Sequence, residues 1–322
     1  VSALMRPRAA HEPRKGHASH NYSAALSGLC RQVSATVRLN GTLLNENSMA
    51  FATPITPTIG AEIQGLDLRQ HLDATTKAWV AEQLVQHKVI FFRDQQISAQ
   101  QHLEFARQFG QLETHPVNPK DGFPELLVLH NDSDRPPADT AIWHSDVTWR
   151  PQPSLGSILI ARKVPEVGGD TLFANMEAAY AGLDGSIKAQ IDGCNAIHRF
   201  EPMRRYLLES GADAEQLAKF EKKYPDVTHP IVRTHPVTGR KSIYVNALFT
   251  VGIEGMTDAQ AQPLLDKLFA TATRPEYQCR FQWRESSIAF WDNRAAQHYA
   301  TADYYPRERL MERATIEGDT PV

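Results

Sequence analysis

Trp143-His144-Ser145-Asp146-Val147-Thr148 is the stretch on which the reading turns. In an extended chain, side chains alternate with a period of two, so His144 and Asp146 project to the same side. Such a pair can hold one metal ion from adjacent corners. A third ligand is offered downstream in Trp291-Asp292-Asn293-Arg294-Ala295-Ala296-Gln297-His298. Two histidines and one carboxylate on one face of an ion leave open positions suited to Fe(II). His-x-Asp alone is more often a histidine hydrogen-bonded near a strand end, and it is the surroundings that reverse this preference.

Those surroundings contain more chemistry. Arg307-Glu308-Arg309-Leu310-Met311-Glu312-Arg313-Ala314-Thr315 follows His298. As a strand it places Arg309, Met311, Arg313 and Thr315 on one face, with two guanidinium groups aimed into one cavity. Arginine suits bidentate binding of carboxylate or sulfonate. As a helix the two arginines fall at i and i+4 on a solvated face, which intrinsic propensity favours. Periodicity does not choose between them, and the strand is preferred for its place beside the third ligand.

Working outward, Gly60 to Leu68 alternates like a strand, and Asp73 caps a helix running to about His87. Val89-Ile90-Phe91-Phe92 is wholly apolar and reads as a central strand. Ser98 and Gln101 form a capping box for a helix ending at Gly110. Leu126–Leu129 and Leu155–Ala161 read as strands, and Val167-Gly168-Gly169-Asp170-Thr171-Leu172 as a tight turn leading into a strand. Asn175 caps a short helix, Ile231–Asn246 is a hairpin, and a helix runs from about Asp258 to Thr271. Residues 202–224 are charged and helical without a strand partner, an insertion suited to a mobile lid. Short strands dominate the second half and helices lie mostly early, which suggests a mainly β sandwich or rolled barrel with helical cover.

The 322 residues allow one large domain, and 42% hydrophobic with 22% charged residues is ordinary for a globular chain. Residues 1–48 carry six basic and two acidic residues, +4 net, so the rest carries −7 of the total −3. That segment is rich in Ala, Ser and Arg and is read as a disordered or non-native extension, with 49–322 as the single folded domain. No apolar run is long enough to span a membrane. A net charge of −3 gives no electrostatic footprint for nucleic acid. Cys30, Cys194 and Cys279 form no CxxC pair, which fits a reducing cytoplasm.

Taken in order, Trp-His-Ser-Asp-Val-Thr at 143–148, Gly-Gly-Asp-Thr at 168–171, Trp-Asp-Asn-Arg at 291–294, Gln-His-Tyr-Ala at 297–300 and Arg-Ala-Thr at 313–315 carry a resemblance. From about Ile55 to Val322 the chain resembles the taurine dioxygenase family of Fe(II)- and 2-oxoglutarate-dependent oxygenases. The resemblance implies a double-stranded β-helix, or jelly roll. It implies Fe(II) as metal, with 2-oxoglutarate and O2 as co-substrates. It also implies a small anionic substrate and a homo-oligomer, dimer or tetramer. By position, His144, Asp146 and His298 match the iron ligands, and Thr171 with Arg309 matches the pair holding the distal carboxylate of 2-oxoglutarate. His115 and Arg313 match the pair that binds a sulfonate, and Phe200 and Phe249 resemble its aromatic walls. Two positions depart from the family: Asn118 stands where it has a tyrosine and Thr140 where it has an asparagine. Both lie where taurine would be contacted.

The implied reaction is hydroxylation of the carbon beside the sulfonate of taurine or a related alkylsulfonate, releasing sulfite and an aldehyde with succinate and CO2. The same chemistry on an alkyl sulfate ester or an aryloxyalkanoate stays open because of Asn118 and Thr140. A non-catalytic jelly-roll binding module and a zinc hydrolase are the readings from other classes. The second arginine paired with Thr171 argues against the hydrolase.

Overall fold

The computed structural model describes residues 50–114, 118–137 and 141–322. The extension 1–48, His115 and Thr140 lie outside the described residues. The wholly apolar Val89–Phe92 strand shows why the fold forms. It is buried on both faces, as a run without polar alternation requires. It sits in an eight-stranded sheet ordered Phe51–Pro54, Ala61–Gln64, Val89–Phe92, Ile288–Asp292, Ser154–Lys163, Arg309–Glu317, Phe123–Asn131, Pro119–Lys120. The Ala61–Gln64 and Val89–Phe92 pair is parallel; the other neighbours run antiparallel.

Alternate residues of these strands feed two separate cores. Ile90, Phe92, Ile158, Ile160, Ile288 and Phe290 pack outward, against Val80 and Leu84 of the Ala74–His87 helix and Leu103, Phe105 and Ala106 of the Ala99–Arg107 helix. Phe91, Leu159, Ala289, Trp291 and Met311 pack inward, against Phe173, Cys279 and Phe281. Those last residues belong to a facing antiparallel sheet, ordered Gln278–Phe281, Thr171–Asn175, Ala296–Ala300. Phe91 stacks on Phe281 with ring centroids 3.9 Å apart and planes 8° from parallel. Two sheets closed over one apolar layer make the jelly roll, and helices cover its outer face.

The helix starts follow their caps. Asp73 accepts from the Thr76 N–H, Ser98 and Gln101 form the reciprocal box, and Asn175 accepts from the Ala178 N–H. The second helix stops at Arg107, three residues before the expected Gly110. Helices are not confined to the early chain. Five of the described ones follow residue 175: Met176–Ala181, Gly185–Ile191, Glu201–Glu209, Ala214–Lys223 and Asp258–Thr271. A further three-stranded sheet, Thr250–Ile253, Asn195–His198 and Val227–Pro230, brackets the charged insertion. Among the described residues, no helix is long and apolar enough to cross a membrane.

Candidate active site

His144 and His298 are brought together by their own backbones. The His144 N–H donates to the His298 carbonyl at 3.1 Å, and the His298 N–H donates back at 2.8 Å. This is the hydrogen-bonded pair of an antiparallel ladder, in which opposed side chains stand on the same face. The two imidazole rings are accordingly 4.2 Å apart. Ser145 Oγ fastens the same loop to the Ala296 carbonyl at 2.8 Å. The extended geometry ends there, because Val147 takes φ +49° and the chain turns. Asp146 stands at the entrance to that turn, and ligating atoms of His144, Asp146 and His298 all lie within 4.8 Å of one another, all three residues buried.

The tautomer of His144 is set by its neighbour. Nδ1 lies 2.7 Å from the Ile142 carbonyl and donates to it, so Nε2 carries a free lone pair. His298 Nε2 lies 4.0 Å from Asp146 Oδ1. Burial lowers the pKa of both histidines, His298 to about 3, so both are held neutral. For Asp146, burial alone would raise the pKa. Arg313, His298 and His144 together outweigh it and hold the carboxyl well below its usual range. A buried cluster of two neutral imidazoles and one carboxylate has the donor set for a divalent metal.

The Arg309–Glu317 segment is a strand, paired with Phe123–Asn131 on one side and Ser154–Lys163 on the other. Arg309 and Arg313 therefore share its inner face with Met311, opposite Asn131, Leu129 and Leu127. Arg313 Nη1 donates to Asp146 Oδ1 at 2.5 Å. Arg309 is buried, and its Nε has no hydrogen-bond partner in the protein. Burial pulls its pKa below the ordinary arginine value, with the nearby Tyr304 hydroxyl opposing the shift. Gly169, at φ +74°, makes room for it: a Cβ there would sit 3.3 Å from Arg309 Cδ and Nε. Two residues on, Thr171 Oγ1 accepts from Trp283 Nε1 at 3.0 Å, which leaves the hydroxyl proton to be donated elsewhere. A buried guanidinium whose Nε has no partner in the protein, and which no carboxylate among the described residues neutralises, fits a carboxylate ligand.

The other candidates fall in different places. Phe249 is buried with its ring 6.1 Å from that of His144, in an apolar cluster with Val147, Trp149 and Leu248. Phe200 is joined to the site through Trp149, on which it stacks at 4.2 Å and 2°. Asn118 is not brought to the metal-ligand cluster. It is exposed, with φ +50°, and lines a cleft with Lys120, Val128 and His130. It precedes the Pro119–Lys120 strand, and its carbonyl accepts from the Val128 N–H at 2.9 Å.

Several functional supports were not visible in the sequence. Asn246 Nδ2 donates to Thr148 Oγ1 at 3.0 Å while its Oδ1 accepts from the Phe249 N–H at 3.0 Å, tying the metal turn to the apolar wall. His229 Nε2 donates to the Thr148 and Arg150 carbonyls at 3.0 Å. His235 Nε2 donates to the buried Asp292 at 3.0 Å. Of these, His229 braces the turn that follows Asp146 directly.

Residues 52–315 match the family model described as taurine catabolism dioxygenase TauD, TfdA family. An alkylsulfatase from Acinetobacter baylyi is 36% identical over 277 residues, covering 82% of this chain and 84% of that one. An alpha-ketoglutarate-dependent sulfate ester dioxygenase from Pseudomonas putida is 36% identical over 275 residues, covering 84% and 90%. The crystal structure of a taurine dioxygenase from Burkholderia xenovorans superposes with TM-score 0.72 at 36% identity, covering 85% of this chain and 91% of that one. The jelly roll, the buried His-Asp-His group and these matches agree: the chain belongs to the TauD/TfdA family and is a 2-oxoglutarate-dependent dioxygenase, of the kind that works with Fe(II) and O2.

Proposed function

We propose that this chain hydroxylates the carbon bearing the sulfur oxyanion of a small alkylsulfonate or alkyl sulfate ester, giving an aldehyde with sulfite or sulfate. The observation that carries the reading is the position of Arg313. It reaches Asp146 from one side of the cluster, while Val147, Leu248 and Phe249 form an apolar wall at His144. An anion holder and an apolar wall converging on the ligand set suit a charged head with an alkyl body. Two relatives that act on sulfate esters by name are as similar as the taurine dioxygenase structure.

In this reading His144, Asp146 and His298 hold the metal, and Thr171 and Arg309 hold the distal carboxylate of 2-oxoglutarate. Fe(II) with 2-oxoglutarate and O2 supplies oxidation of an unactivated C–H bond, with succinate and CO2 as by-products. The chain's own part is orientation and exclusion of water. Arg313, with His115 and Thr140, which lie outside the described residues, fixes the anionic head. Leu248 and Phe249 pin the body so that one carbon faces the metal. The Glu201–Glu209 and Ala214–Lys223 helices, which bury no residue of their own, act as the lid; Phe200 anchors them on Trp149. The wider reading adds a homo-oligomer in the cytoplasm, in keeping with the free Cys194 and Cys279. It leaves residues 1–48 as an extension outside the catalytic domain.

The test is a substrate panel of taurine, alkylsulfonates and alkyl sulfates of rising chain length, and an aryloxyacetate, assayed for succinate, sulfite and sulfate. Each added methylene that reaches the wall is expected to raise kcat/KM about fourfold, from about 0.8 kcal/mol of burial. Taurine outrunning every longer homologue would refute the apolar assignment. Absence of succinate with every member would refute the reaction.

A further inference from the structure

Asp146 has two carboxylate oxygens, and the fold treats them differently. Oδ1 faces His298 Nε2 at 4.0 Å and Arg313 Nη1 at 2.5 Å. Oδ2 points away, accepting from Ser157 Oγ at 2.7 Å and from Asn293 Nδ2 at 3.4 Å. Asn293 also grips the backbone of the same residue: its Oδ1 accepts from the Asp146 N–H at 3.1 Å and from Trp291 Nε1 at 3.0 Å. Two N–H donors at one end of an amide establish that end as oxygen. The Nδ2 end must then face Asp146 Oδ2 and Ser154 Oγ, the latter at 2.9 Å.

The setting of these two side chains makes the arrangement specific. Ser157 is fully buried in a strand whose following residues are Ile158, Leu159 and Ile160, with Trp291 and Thr315 as its register partners. An unpaired hydroxyl there would be destabilising, and the carboxylate satisfies it. Asn293 is likewise buried, and its own N–H donates to the Leu155 carbonyl at 2.9 Å. Neither side chain is in the His-Asp-His set: Ser157 and Asn293 hold Asp146 Oδ2, while Arg313 is on Oδ1.

We infer that Asn293 and Ser157 are positioning residues that reserve a single oxygen of Asp146 for the metal. A carboxylate free to rotate offers both oxygens and chelates, filling one of the positions that a chelating co-substrate and a third ligand need. With Oδ2 tied to a hydroxyl and an amide, only Oδ1 is presented, and its direction is set by the main-chain bond to Asn293. Outer partners of this type typically change metal affinity by about 10–100-fold when removed. The inference rests on the metal-centre reading above, and its test separates the two.

Co(II) serves as the probe, titrated under nitrogen into wild type, Ser157→Ala, Ser157→Thr and Asn293→Ala, with the Kd and the visible absorption band recorded. Ser157→Ala removes one oxygen atom from a packed strand, so it decides the matter if Asn293→Ala does not fold. Far-UV circular dichroism and the metal-free thermal midpoint monitor folding. Expected are Kd values about 10–100-fold weaker for both alanine variants with an altered band, and recovery of both in Ser157→Thr. Alanine variants matching wild type within twofold in Kd, with superimposable bands, would overturn the inference. A wild-type chain that holds no stoichiometric Co(II) would sink the metal-centre reading, and this inference with it.

Discussion

Replacing Arg309 by lysine tests the co-substrate site with the charge retained. The guanidinium is buried, its Nε lacks a protein partner, and the side chain packs against Gly169, where a Cβ would sit 3.3 Å from its Cδ and Nε. Lysine keeps a positive charge but loses the planar fork, so one of two charge-assisted hydrogen bonds to a carboxylate is lost. Such a bond contributes about 1.5–3 kcal/mol. The Kd for 2-oxoglutarate should therefore weaken about 10–150-fold. The assay is calorimetric titration of 2-oxoglutarate into Mn(II)-loaded protein without oxygen. Trp283→Phe is the milder companion. It removes the donor to Thr171 Oγ1, a neutral bond contributing about 0.5–1.5 kcal/mol, and should weaken binding only about 2–12-fold. An Arg309→Lys protein that folds, holds Mn(II) normally and binds 2-oxoglutarate within twofold of wild type would show that this strand does not hold the co-substrate.

Three further outcomes follow from the packing. Phe91→Ala should cost about 3–5 kcal/mol in urea unfolding, and its effect should be less than additive with Phe281→Ala because the two rings stack; simple additivity would deny the coupling. His102 is buried, its Nε2 donating to the Ile158 carbonyl at 3.1 Å, and burial with the charge of Arg162 lowers its pKa from 6.5 to about 4. The unfolded chain gains a proton as pH falls through 6.5 while the native histidine stays neutral until about 4, so stability is lost across that window. The ceiling is about 3 kcal/mol, and His102→Gln should lose visibly less between pH 7 and 4; parallel profiles would refute this. Phe200→Ala should speed amide exchange in Glu201–Glu209 and Ala214–Lys223 by roughly tenfold, as the stack on Trp149 is lost, while Mn(II) affinity stays within twofold. Unchanged exchange would mean that the insertion is anchored elsewhere.

The elements legible in the sequence are those governed by local rules. Val89–Phe92 could only be a strand buried on both faces, and Asp73, Ser98 and Asn175 announced helices that begin where their caps place them. Arg309–Glu317 was undecidable locally because helix propensity and strand alternation both fit. Its ladders to residues about 150 and 180 positions upstream decide it. The His-x-Asp spacing pointed to residues that the fold does gather, but through a partly wrong geometry. The bridge to His298 and the turn at Val147 bring the side chains together, and regular alternation does not. Asn118 was assigned by family position, whereas in the fold it is an exposed residue that lines a cleft with Lys120, Val128 and His130. Ser157 and Asn293 gave no signal, since a serine in a strand and an asparagine after a strand are commonplace until the partner from residue 146 arrives. The four-residue strands of the Asn195–His198 sheet were missed because so short a segment carries too little periodicity to separate strand from loop.

The His144–His298 bridge also sets an order of events during protein synthesis. His144 and Asp146 emerge from the ribosome about 154 residues ahead of His298, which at about 5–20 residues per second is roughly 8–30 seconds. Throughout that interval the growing chain offers an incomplete pair of donors, without the backbone partner that holds His144 in place. Arg309 and Arg313 are translated later still. With the proposed roles of these residues, a nascent chain can neither retain the metal firmly nor recruit the co-substrate. In that reading, loading with iron is confined to chains whose two sheets have already closed, so the oxidising capacity arrives only after the scaffold that contains it.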